Sequence, residues 1–98
     1  AAKWYQKASD LNHVPAHVNL GLLLVKGEGI AQDFPRALKL FEKAAETGDG
    51  WGLNNLGSMY EMGWGVSKDI EKAKQYYGQA AEKGNAMAPL NLSRLGGL

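Results

Sequence analysis

Two stretches of this chain carry residue types at spacings that could do chemistry. KGEGIAQD, Lys26 to Asp33, places Gly27 and Gly29 one residue apart and ends on an acid. Backbone N–H groups of a glycine-rich loop can cradle a phosphate, but a P-loop needs a preceding strand, a longer glycine spacing and a Lys-Ser/Thr pair. None of that context surrounds Gly27. His13 and His17 stand four apart, a spacing that can present two imidazoles to one metal ion. Pro15 and a helix boundary fall between them and no third ligand is evident, so no metal site is expected. The chain has no Cys, which removes thiolate ligands, disulfides and cysteine nucleophiles. It also lacks Ser-x-x-Lys and Gly-x-Ser-x-Gly. Paired carboxylates occur only on faces that read as exposed, where nothing would shift their pKa values. The expectation is a chain that is not an enzyme and holds no cofactor or metal.

The glycine loop occurs twice, and the second copy explains the first. Shifted by 36 residues, the sequence aligns with itself without a gap. Asn19-Leu20-Gly21 falls on Asn55-Leu56-Gly57, KGEGIAQD on MGWGVSKD (Met62 to Asp69), Phe41 on Tyr77, and Ala44-Ala45-Glu46 on Ala80-Ala81-Glu82. A fixed period of this length marks a solenoid of supersecondary units. Each unit reads as two helices. The first stripe is Ala16, Leu20, Leu23 and Leu24, the second Ala37, Leu40, Phe41, Ala44 and Ala45. The helices are predicted near 16–26, 34–47, 52–62, 69–83 and 86–95, with residues 1–11 as the second helix of a preceding unit. Asp33 and Asp69 are expected to cap the second helices, and Gly48 and Gly84 to end them. A glycine pair repeated between two helices is then a turn that needs φ > 0. Ile30 and Val66 should tuck into the seam beneath it.

The pattern Ala16…Asn19-Leu20-Gly21…Gly27-x-Gly29-Ile30…Asp33…Ala37…Phe41…Ala44-Ala45…Gly48, with its closer second copy through Gly63-Trp64-Gly65-Val66, resembles the Sel-1-like repeat, a relative of the tetratricopeptide repeat. Asn12, where the other copies have Gly, and Leu95-Gly96-Gly97-Leu98 depart from it. The resemblance implies an all-α fold: a right-handed α-α superhelix of antiparallel helix pairs, with first helices lining a concave face. One solenoid would cover 1–98. Residues 1–15 would end a preceding unit, 16–51 and 52–87 would be full repeats, and 88–98 would open a following one. Family members generally act as adaptors that assemble protein complexes.

The expected function is accordingly a protein–protein interaction scaffold that binds a partner peptide or helix on its concave face. The alternative is a structural or self-associating segment. Its ends read as uncapped, as in a fragment of a longer array or a chain that associates end to end. Asn19, Asn55 and Asn91 recur at the repeat spacing and could form a ladder of amides for an extended peptide, or each could bond a neighbouring helix. Lys26, Ser58, Met62 and Arg94 are the next positions on that face. Trp64 stands where the other copy has Glu28, so it is a candidate contact, or it lies flat on the neighbouring unit. Leu22 and Val25 match Ser58 and Glu61, so they either form an exposed apolar patch or face a preceding unit.

With 11 Lys plus Arg against 10 Asp plus Glu, the formal charge of +1 gives no pull toward nucleic acid. No apolar run approaches a membrane span, no signal peptide opens the sequence, and the compartment is left open.

Overall fold

The computed structural model describes residues 3, 4, 6, 7 and 13–96. Residues 3, 4, 6 and 7 are helical, and the expectations for the rest of 1–12, Asn12 among them, and for Gly97 and Leu98 lie outside the described residues. Five complete helices follow: α1 (Val14–Lys26), α2 (Phe34–Glu46), α3 (Gly50–Met62), α4 (Ile70–Glu82) and α5 (Ala88–Arg94). No strand occurs among the described residues. The starts of α1 and α3, and of α2 and α4, differ by the 36-residue period, so the repeat is structural as well as sequential.

Local chemistry sets these boundaries. Asp33 Oδ1 accepts from Arg36 N at 3.1 Å, and Asp69 Oδ1 accepts from Lys72 N at 3.0 Å, capping α2 and α4 as expected. The first helices begin differently from the sequence-based expectation. α3 starts at Gly50 because Asp49 Oδ2 accepts from Gly52 N at 2.8 Å. α1 starts at Val14, with Pro15 in the first turn where its missing N–H costs nothing. α5 starts late, at Ala88, because Asn85 Oδ1 takes the N–H groups of Met87 and Ala88 into a turn before the helix.

The glycine loops are turns. Gly27 and Gly63 end α1 and α3 in the left-handed conformation at φ 72° and 70°. Gly29 and Gly65 are left-handed as well. Each loop closes on the same backbone bond, Asp33 N to Leu24 O and Asp69 N to Tyr60 O, both 2.9 Å. Ile30 packs half-buried against the main core cluster.

α1, α2 and α3 share that cluster: Val18, Leu20, Leu24, Ala37, Leu40, Phe41, Ala44, Leu56 and Met59. Leu53, Ala80 and Ala88, then Ala73, Tyr77 and Leu92, carry the stacking on to α5. Each second helix is thus wedged between two first helices, and the molecule measures 39 × 24 × 17 Å. The wedge depends on notches. A Cβ added to Gly21 would lie 2.5 Å from Phe41 Cε1, and one added to Gly57 would lie 2.7 Å from Tyr77. Only glycine lets the aromatic ring of the second helix lie against the backbone of the first.

Candidate interaction face

Charge is segregated between the two kinds of helix. The first helices α1, α3 and α5 contain one charged residue each: Lys26, Glu61 and Arg94. The second helices α2 and α4 contain five and four. Lys26 sits exposed at the end of α1, while Glu61 and Arg94 neutralise each other. The first-helix side therefore presents a nearly uncharged surface, the composition of an interface centre.

Apolar residues stand out from it in register. Pro15, Trp51 and Met87 occupy the same repeat position near the starts of α1, α3 and α5. Pro15 is exposed, Trp51 is 52% exposed and Met87 is 45% exposed. Leu90, one turn along α5, is 63% exposed. Between α1 and α3 lies a cleft of about 330 Å³ lined by Pro15, Val18, Asn19, Leu22, Asp49 and Trp51. That is the lower end of the size range of ligand pockets and suits a side chain or two better than a cofactor.

The residues singled out from sequence do not converge on one site. Asn19 lines the cleft. Asn55 is buried, and its Nδ2 has no partner among the described residues. Asn91 donates to Asn54 Oδ1 at 2.9 Å, so this amide bonds a neighbouring helix. Lys26 and Met62 are exposed at the C-terminal ends of α1 and α3. Trp64 is half-buried, its ring stacked on Phe34 at 5.3 Å and 7°. Leu22 and Val25 pack half-buried against the core. Trp51 and Asp49 were not singled out. The signal was available, since position 51 is apolar in all three copies yet lies off both core stripes.

Ser58, Asn91 and Arg94 meet in one polar network with Glu61 and Tyr77. Arg94 grips Glu61 with both terminal guanidinium nitrogens, and its Nη2 also donates to Asn91 Oδ1 at 3.0 Å. Tyr77 donates its hydroxyl to Glu61 Oε1 at 2.7 Å. That uses the single phenolic hydrogen, so Ser58 must be the donor in its 3.1 Å contact with Tyr77. The network ties α3, α4 and α5 together across a unit boundary.

Its electrostatics follow from the contacts. The bonds from Arg94, and then from Tyr77, hold the Glu61 carboxyl below its ordinary value against the opposing effect of burial. Burial, reinforced by donation to Glu61, pushes the Tyr77 phenol up to about 12. A depressed carboxylate stabilises the fold fully above the unfolded-state pKa of about 4.3 and loses that contribution as pH falls through the lower folded value. Glu61→Gln should therefore cost about 1 kcal/mol at neutral pH. The gap between wild type and variant, read from urea midpoints, should close as pH falls below about 4.

The two histidines sit in different surroundings. His13 is exposed with its ring edge-on to Trp4, whereas His17 is 2% exposed and burial lowers its pKa. Among the described residues no group of three His, Cys, Asp or Glu side chains converges as metal ligands would. No helix among them is long and apolar enough to cross a membrane.

The Sel1 repeat profile matches residues 1–13, 14–49 and 52–85, most of the chain. The chain belongs to the Sel1 repeat family. Solved structures superpose on it closely. A Sel1 repeat protein of Oxalobacter formigenes does so with a TM-score of 0.86 at 36% identity, over 95% of this chain and 38% of that one. A protective antigen of uropathogenic Escherichia coli strains, displaying the same fold, gives 0.83 at 36% identity, over 89% of this chain and 19% of its own. Cysteine-rich protein B of Helicobacter pylori gives 0.79 at 26% identity, over 89% and 65%. The Sel1 chain thus spans less than two thirds of each of these proteins. Comparison with curated proteins finds no match. Sel1 repeats form a non-catalytic scaffold that generally serves protein interaction, and this chain has that α-helical solenoid.

Proposed function

We propose that this Sel1 solenoid is an adaptor module whose first-helix side, the concave side of the superhelix, binds a peptide or helix of another protein. The observation that carries this reading is the in-register apolar row Pro15, Trp51 and Met87 on a side almost free of unpaired charge. Exposed Trp and Met side chains on uncharged ground gain most when a partner covers them. Asn19 at the cleft supplies an amide that can both donate to and accept from a peptide backbone.

The test uses Trp51→Ser with Met87→Ser. Both residues are exposed, so the double variant should keep its helicity by circular dichroism. Affinity capture beside wild type should retain a partner on wild type alone. Capture of the same proteins by both baits would place binding elsewhere, at Trp64 or the charged second-helix side. Recovery of nothing but copies of the chain, with association by sedimentation that the variant abolishes, would favour the self-associating reading. Met87 at the N-cap of α5 and Leu90 on that helix, both exposed, would then form the contact.

A further inference from the structure

We propose that the cleft between α1 and α3 selects a partner segment in which a bulky apolar side chain stands next to a Lys or Arg. This inference rests on the adaptor reading and specifies its ligand.

The cleft combines two chemistries. Pro15, Val18 and Leu22 give it an apolar wall, and the half-exposed indole of Trp51 closes one side. An apolar side chain entering there removes both its own surface and theirs from water. The remaining lining includes one formal charge, the carboxylate of Asp49. Its Oδ2 is committed to Gly52 N, while Oδ1 has no hydrogen bond among the described residues and makes no ion pair there. Lys83 reaches toward the neighbouring Gly48, where its Nζ would lie 3.4 Å from an added Cβ, but it forms no ion pair with Asp49 and does not line the cleft.

The sign of the cleft depends on which local field is larger. The N-terminus of α3 contributes roughly half a positive charge, which disfavours a cation. The Asp49 carboxylate carries a full negative charge at the same place and is the charged group that lines the cleft, so a side chain entering there meets it ahead of the helix end. A cation drawn to Oδ1 also finds the Trp51 ring lining the same cleft, and an indole face attracts ammonium and guanidinium groups. Carboxylate and aromatic ring together are the chemistry that recognises a basic side chain beside an apolar anchor. An acidic segment would meet repulsion from that carboxylate, offset only in part by the N-terminus of α3. The equivalent positions in the first copy are His13 and Pro15, which offer neither group, so this specificity belongs to the α1–α3 cleft.

A displayed library of random twelve-residue peptides, selected on wild type and counter-selected on Trp51→Ser with Met87→Ser, tests this. Enriched sequences should pair Leu, Ile, Met or Phe with an adjacent Lys or Arg. A synthetic selected peptide should bind about tenfold more weakly when its basic residue is replaced by citrulline or norleucine, the combined effect of a partly exposed ion pair and a cation–π contact. Asp49→Asn should produce the same loss, because Asn still caps α3 and the fold is kept. Enriched peptides with no basic preference, or affinity unmoved by Asp49→Asn, would overturn this inference while leaving the adaptor face intact. Selection of the same peptides by the serine double variant, or of none by wild type, would overturn both.

Discussion

Phe41→Ala is expected to lower the unfolding free energy by about 3–5 kcal/mol, a large part of what a small domain has to lose. The ring is 1% exposed and belongs to the cluster shared by α1, α2 and α3. Its removal deletes the transfer free energy of the ring and leaves a cavity that cannot easily collapse. The opposite wall is the backbone of α1 at Gly21, held in place by the rest of the stack. A repeat array is stabilised by terms within units and between neighbours, and Phe41 contributes to both. The urea transition followed by circular dichroism should therefore broaden as well as move to lower concentration, because α1 and α2 uncouple from α3. A cooperative transition displaced by less than 1 kcal/mol would contradict the packing described. Tyr77→Phe gives the contrast: the ring stays in its notch, and what is lost is the hydroxyl, with its bond to Glu61 and the one it accepts from Ser58.

Gly21→Val should be the next most damaging change, at about 1–3 kcal/mol from overpacking alone. Gly21 has ordinary helical geometry, so the cost comes from space and not from φ. A Cβ there would meet Phe41 Cε1 at 2.5 Å and Cζ at 2.9 Å, closer than carbon atoms approach. Either the ring must leave its rotamer or α1 must lift from α2. The two predictions are coupled, and the coupling tests the notch directly. Gly21→Ala in a Phe41→Leu background should cost less than the two single changes summed, because the new methyl fills space the ring has vacated. Strict additivity would show that ring and glycine do not meet.

The sequence made the frame of this molecule readable because the frame is repetitive. Helices, turns and caps are each decided within one unit, and two copies at a fixed offset separate what the fold needs from what varies. Asp33 and Asp69 announced the starts of α2 and α4 in this way. The Asn-Leu-Gly motif and the Phe41/Tyr77 position were both visible, but their mutual contact was not, since nothing local says that a glycine in one helix faces a ring in the next. Among the site residues, the sequence marks Ser58 and Arg94 as positions open to a partner, and Asn91 as either that or an amide bonding a neighbouring helix. The structure places them in a network organised by Glu61. Glu61 stands where the first copy has Val25, so no repeated signal marked it, and its partner Arg94 is a full unit away. Trp51 escaped notice for the converse reason. Side chains outside the stripes look alike in sequence, and exposure of a large ring emerges only after the helices are stacked.

Pro15, Trp51 and Met87 differ in shape and chemistry although they hold one position in three successive units. None of them is part of the buried clusters that hold the stack together. Such a position works like a slot for interchangeable type: each unit can change its letter while the neighbouring letters and the press that holds them stay as they are. If this surface binds a partner as proposed, its specificity can drift one unit at a time during descent, with little loss of foldedness along the way. The same property gives an engineer three independently editable characters on a ready-made frame.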